Sequence, residues 1–246
     1  MLRQICQKLN VTSSIKASGS KKYFIKIKDK NILYKMQVFN VILATDSQDG
    51  IGNTSSTAVH TLPWSLDNEF KYYLSMVHHE QEKMQKYGKK TLLVTAPTVF
   101  SELSKLHPDG FIWALISKSI VKKPEICDIL SDDYSLNDLY KIIESSEWAN
   151  KIGRIIVLGG VPLYNQVMNG NVPTRIFRTR INHDFKADRS ISQLNTEKFK
   201  KIHSKYINDM PVLVGKQTEV DSLSGKTVNY EIEVFTNYAY LSSLEA

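Results

Sequence analysis

From Val38 onward two textures alternate along the chain, and this alternation restricts it to an α/β sheet. The runs Val38–Ala44, Thr91–Val94, Phe111–Ile116, Ile155–Leu158 and Arg175–Thr179 are short and rich in β-branched, apolar or aromatic residues. Bounded by Gly, Pro or charged residues, they read as buried strands. Between them, Leu66–Val77, Thr98–Leu106, Leu136–Glu144 and Pro162–Met168 carry apolar residues at helical spacing, with Ser135 as an N-cap for the third. These predict crossover helices. Tyr230–Phe235 alternates strictly, as a strand with one wet face does, and is expected to pair near Lys201–Tyr206.

At 246 residues the chain suits one domain with extensions. Its expected parts are a basic extension over 1–36, the α/β domain over 37–238 and a tail over 239–246. Much of the formal charge of +7 lies before Asp29, where seven Lys/Arg and no acidic residue occur among Ser, Thr and apolar residues. That pattern suits a mitochondrial transit peptide better than a secretory signal, because no continuous apolar segment follows the basic start. A mitochondrial or cytoplasmic location is expected. Cys6 and Cys127 sit in no CxxC or His/Cys cluster, so neither a disulfide framework nor a metal site is implied. No stretch approaches the ~20 apolar residues of a membrane span. The Lys-rich stretch 86–90 reads as a solvated loop rather than a nucleic-acid site.

Two segments carry chemical information. Asn40-Val-Ile-Leu-Ala-Thr-Asp-Ser-Gln-Asp-Gly-Ile-Gly52 runs from a strand into glycines, which let backbone approach a flat ligand closely. An ordinary turn has the same signature. Leu62-Pro-Trp64 then precedes the helical stretch in which Glu69, five positions after Trp64, shares a face with Tyr73 and lies beside Phe70. A lone carboxylate among rings suits a binding pocket. A solvated first-turn acid favoured by the helix dipole explains the same spacing.

Taken in order, these residues resemble the dihydrofolate reductase family. The matching elements are Ile42 and Ala44 on the first strand, Gly50-Ile51-Gly52, Leu62-Pro63-Trp64 and Glu69-Phe70. They continue with Ile155-Ile-Val-Leu-Gly-Gly-Val-Pro-Leu-Tyr164, then Arg175-Ile-Phe-Arg-Thr-Arg-Ile181, and finally the last strand Tyr230–Phe235. The resemblance implies a three-layer fold with a central, mostly parallel eight-stranded sheet and flanking helices. It implies NADPH-dependent reduction of dihydrofolate in one-carbon metabolism, by a monomer with no nucleic-acid or membrane partner. Glu69 would anchor the pterin, Thr179 would orient that carboxylate, Trp64, Phe70 and Tyr73 would wall the ring, and Ile42 and Leu158 would offer backbone carbonyls. NADPH would contact Ala44, Gly50, Ile51, Gly52, Thr98, Ser117, Lys118, Gly159, Gly160, Val161, Leu163 and Tyr164.

The chain departs from the family pattern in three ligand-binding segments. The family's Gly-Arg-Lys-Thr is Thr95-Ala96-Pro97-Thr98 here, which removes two cations from the phosphate grip. The arginine that clamps the folate tail falls at Phe111, and no Arg occurs between Lys90 and Arg154. The segment Asn53–Thr61, a lid in the family, is longer than usual. These departures also suit an inactive binding or assembly protein of this fold, or a reductase acting on another pterin or on a pyrimidine. His60, His78, His79 and His183 are given no role, because neighbouring His78 and His79 cannot share one helical face.

Overall fold

Strands covered by helices on both faces must be apolar at nearly every position. Phe39–Thr45, Phe-Asn-Val-Ile-Leu-Ala-Thr, is buried at six of its seven positions and forms the central strand β1. The computed structural model describes residues 38–55, 62–106, 109–117, 122–131, 135–145, 147–170, 172–202, 213 and 215–237. The extension over 1–36, the tail over 239–246, Lys118 and His60 lie outside them.

The other strands are β2 (Gly50–Gly52), β3 (Lys90–Thr95), β4 (Ile112–Ile116), β5 (Ile129–Ser131), β6 (Ile152–Val157) and β7 (Thr174–Ile181). They are followed by β8 (Arg189–Ser190), β9 (Lys200–Ile202), β10 (Gln217–Val220) and β11 (Thr227–Thr236). The helices are α1 (Asp67–Gln85), α2 (Pro97–Leu106), α3 (Leu136–Ser145) and α4 (Val161–Met168). The main sheet runs β10-β11-β7-β1-β6-β3-β4-β5, parallel from β7 to β5 and antiparallel at β11 and beyond. The expected eight-stranded, mostly parallel sheet is this path. A ninth strand, β9, joins because β11 is long enough to pair β10 through Thr227–Tyr230 and β9 through Val234–Thr236. β2 and β8 form a separate two-stranded sheet.

Period-two alternation divides the core into two layers. Val41, Leu92, Val94, Ile155 and Val157 face one side with Leu139 of α3 and Leu163 and Val167 of α4. Ile42, Leu93, Ile156 and Leu158 face the other with Met76 of α1 and Leu103 of α2. Residues two apart stay on one face, so a one-residue slip in register would exchange the layers. Each fully buried Leu or Ile contributes about 1.5–3 kcal/mol to stability. Helix boundaries follow local chemistry. Ser135 Oγ accepts from the Asp138 N–H at 3.3 Å at the start of α3, as its N-cap role requires.

The order of connections positions the site. After β1 the chain builds β3 and β4 on one side, inserts β6 beside β1, and then crosses through α4 to β7 on the other side. β1 is thus a switch point, and in open α/β sheets a crevice forms at the carboxyl ends of strands at such a point.

Candidate active site

A cleft of about 910 Å³ opens at the carboxyl ends of β1 and β6, between the starts of α1, α2 and α4. Glu69 enters it from the first turn of α1 and is 7% exposed. Opposite, Thr179 on β7 is paired in register with Ala44 on β1, which directs its hydroxyl to the helix. Thr179 Oγ1 donates to Glu69 Oε1 at 2.8 Å. The Phe70 and Tyr73 rings stack beside the carboxylate with centroids 5.8 Å apart.

Burial pushes the Glu69 carboxyl up to about 7, since a charge in an apolar pocket loses its hydration. The Thr179 hydrogen bond opposes the shift and the Glu219 carboxylate adds to it. Burial also holds the Tyr73 and Tyr164 hydroxyls far above the usual tyrosine range, so both stay neutral donors. Tyr164 OH donates to the Ile42 carbonyl at 3.2 Å, and the carbonyl keeps a second lone pair.

The glycine pair lies on the opposite wall. Gly159 has φ +108°, and a Cβ there would come within 3.0–3.1 Å of the Tyr164 ring. At Gly160 a Cβ would meet nothing closer than 3.9 Å, which leaves open space beside Ala96 and Val99. The Gly159–Gly160 peptide is cis. The Ala96 N–H donates to the Gly159 carbonyl at 2.8 Å, tying the turn to the start of α2. Two helix N-termini, Pro97-Thr98 of α2 and Val161-Pro162 of α4, therefore border one stretch of cleft. Their partial positive charge suits an anionic group such as a diphosphate.

Most expected site residues converge. Ile42, Ala44, Ile51, Gly52, Glu69, Phe70, Tyr73, Thr98, Ser117, Leu158, Gly159, Gly160, Val161 and Tyr164 all line the cleft. Thr179 stands behind Glu69. Trp64 does not wall the cleft: it is 1% exposed and its ring packs on Phe185, centroids 5.3 Å apart. Leu163 is fully buried in the core, because its position in the first turn of α4 faces the sheet. Gly50 lies off the cleft, held by Asp46. Phe111 is buried at 8% exposure, edge-on to His78 at 6.1 Å, and does not line the cleft.

Three features of the site were missed in the sequence. Asp46, 1% exposed, accepts through Oδ1 from the Gln48 N–H at 2.8 Å and the Gly50 N–H at 2.7 Å, and through Oδ2 from the Phe185 N–H at 3.2 Å. It thereby fixes the turn that delivers Ile51 and Gly52. Asp followed two residues on by a backbone donor is an Asx-turn signal. Arg189 reaches the cleft because β8 pairs with β2, and Glu102 lines it from α2. Neither has a signal in its own neighbourhood. Among the described residues lining the cleft, Arg189 is the one Lys or Arg.

Comparison with known proteins agrees with this geometry. The family model described as dihydrofolate reductase matches residues 120–213. Dihydrofolate reductase of Rattus norvegicus is 30% identical over 199 residues, covering 80% of this chain and 95% of that protein. Viral dihydrofolate reductase of Saimiriine herpesvirus 2 (strain 488) is 30% identical over 165 residues, 66% of this chain and 72% of that protein. Among solved structures, Schistosoma mansoni dihydrofolate reductase aligns with TM-score 0.60 at 18% identity, over 82% of this chain and all of the other. Dihydrofolate reductase from Enterococcus faecalis complexed with NADP(H) aligns with TM-score 0.52 at 15% identity, over 82% of this chain and 97% of the other. The shared fold and the similarity along nearly the whole length of the rat enzyme make this chain a member of the dihydrofolate reductase family.

Proposed function

We propose that the chain reduces 7,8-dihydrofolate to tetrahydrofolate with NADPH. One observation carries this reading above the others. Among the described residues lining the cleft, Glu69 is the one buried carboxylate, held by Thr179 at 2.8 Å beside stacked rings and opposite the Gly159-Gly160 turn.

When bound, NADPH would supply the hydride that reduces pterin C6, with a proton added at N5. The chain's own residues bind and orient. Ionised Glu69 offers two oxygens to the N3–H and 2-amino edge of the pterin, a bidentate geometry that fixes the ring plane. Thr179 holds Oε1 in place for that contact. Phe70 and Tyr73 cover the ring, and the Ile42 and Leu158 carbonyls can accept from the amino group. The bare backbone at Gly160, the N-termini of α2 and α4 and the Thr98 hydroxyl suit the diphosphate of the cofactor, and the Ser117 hydroxyl suits its 2′-phosphate. Arg189 supplies a cation in the cleft where the Thr95-Ala-Pro-Thr98 segment has none. With Phe111 buried, the folate tail receives no guanidinium from that position, so binding depends on the pterin end.

The test is direct. The protein mixed with NADPH and dihydrofolate lowers absorbance at 340 nm, and Glu69→Gln removes the activity while calorimetry still registers NADPH binding. No change at 340 nm together with no heat of NADPH binding would end this reading.

A further inference from the structure

The start of α1 is clamped from a remote hairpin. Leu66, at the N-cap of α1, makes no side-chain hydrogen bond to the helix, so the first-turn N–H groups need other partners. Strand β10 supplies one: Glu219 Oε1 accepts from the Asn68 N–H at 2.7 Å. Asp221 Oδ1 accepts from the Ser65 N–H at 2.7 Å, and the Ser222 N–H donates to the Ser65 carbonyl at 3.0 Å. Tyr230 on β11 completes the contact, its hydroxyl reaching Glu219 Oε2 at 3.4 Å. The residue that Glu219 holds immediately precedes Glu69.

We propose that Glu219 is a positioning residue for Glu69: through the Asn68 N–H it fixes the first turn of α1, and it sets a second carboxylate facing the one assigned to the pterin. This extends the proposed function, since it concerns the carboxylate assigned to the pterin, and it makes the β10–β11 hairpin part of the active-site machinery.

The groups around Glu69 single out Glu219. From its own helix, Tyr72 and Tyr73 face it, both with hydroxyls pushed far up by burial, while Asp67 and Lys71 are exposed. From β7 comes Thr179, which is not ionisable in this range. From β11 comes Tyr230, pushed up to about 12 and so neutral. Glu219 on β10 is the carboxylate that faces it, and its repulsion acts in the same direction as burial.

The experiment titrates the Glu69 carboxyl carbon by 13C NMR in the full chain, with the resonance identified by its loss in Glu69→Gln. Glu219→Gln keeps an acceptor for Asn68 but removes the charge, and should move the Glu69 midpoint toward acid by roughly half a pH unit, the size of one carboxylate repulsion across a partly solvated gap. Glu219→Asp, which retains the charge, should return the midpoint toward that of the parent. A midpoint unchanged in Glu219→Gln, with only thermal stability affected in Glu219→Ala, would overturn the proposal and leave the hairpin a structural clamp. The titration needs no turnover. A chain that binds neither NADPH nor dihydrofolate would refute the proposed function while the Glu69 midpoint still decides this one.

Discussion

Thr179 and Glu69 meet at 2.8 Å from a strand and a helix that are 110 positions apart in sequence, and this contact gives the cleft its only described buried carboxylate with a hydroxyl partner. Removing the hydroxyl in Thr179→Val leaves a buried oxygen without its donor, at about 1–3 kcal/mol. Dihydrofolate affinity should fall about tenfold, since 1.4 kcal/mol is one decade. Titration of the enzyme with dihydrofolate by fluorescence checks this, and unchanged affinity would remove Thr179 from the site.

Glu69 should also make stability depend on pH. Its folded value of about 7 lies above the ordinary 4.5, so between these pH values the folded state holds more proton than the unfolded chain. Stability from this group is therefore greatest below about pH 4.5 and declines as pH rises to 7, by roughly 3 kcal/mol. Glu69→Gln should abolish that slope. Urea unfolding at a series of pH values measures it, and parallel profiles for the two proteins would contradict the burial of the carboxyl.

At Gly159 a side chain meets two obstacles, the positive φ of +108° and the Tyr164 ring 3.0–3.1 Å away. Gly159→Ala should cost about 1–3 kcal/mol through backbone strain alone and should weaken NADPH binding measured by calorimetry. Gly160→Ala, with its nearest contact at 3.9 Å, should unfold at nearly the parental temperature. Equal melting temperatures for the two variants would argue against the described turn.

Asp46 bonds three backbone N–H groups with one buried carboxylate. Asp46→Ala leaves these donors unsatisfied and should lower stability by about 2–4 kcal/mol. The turn carrying Ile51 and Gly52 should loosen with it, so amide hydrogen exchange at these residues should speed up before the core does. Exchange unchanged at Ile51 would show that the turn holds without Asp46.

The sheet and helices were readable because their signals are local. Val41 and Leu43 alternate with Ile42 at the strand period, and Tyr72, Met76 and Val77 recur at the helix period, so each run declares its own buried face. The glycine pair and Glu69 were readable through the family resemblance carried by Leu62-Pro63-Trp64 and Ile155–Tyr164, whereas spacing alone left Glu69 open between a pocket acid and a solvated first-turn acid. Trp64 misleads for the same reason: its place in the motif is local, but its burial against Phe185 is decided by a segment more than a hundred residues away.

By itself the sequence determined the α/β layering, the strand and helix periods and the identity of Glu69 as an acid among aromatic residues, because side-chain type and spacing fix those directly. Only the tertiary structure decided what surrounds that acid. Thr179, Glu219 and Asp46 act through contacts made when β7, β10 and the Phe185 segment close on β1 and α1, and the folded arrangement sets how much water Glu69 loses and which charge faces it. A carboxylate's proton affinity depends on hydration and on neighbouring charge, and both are properties of the assembled fold.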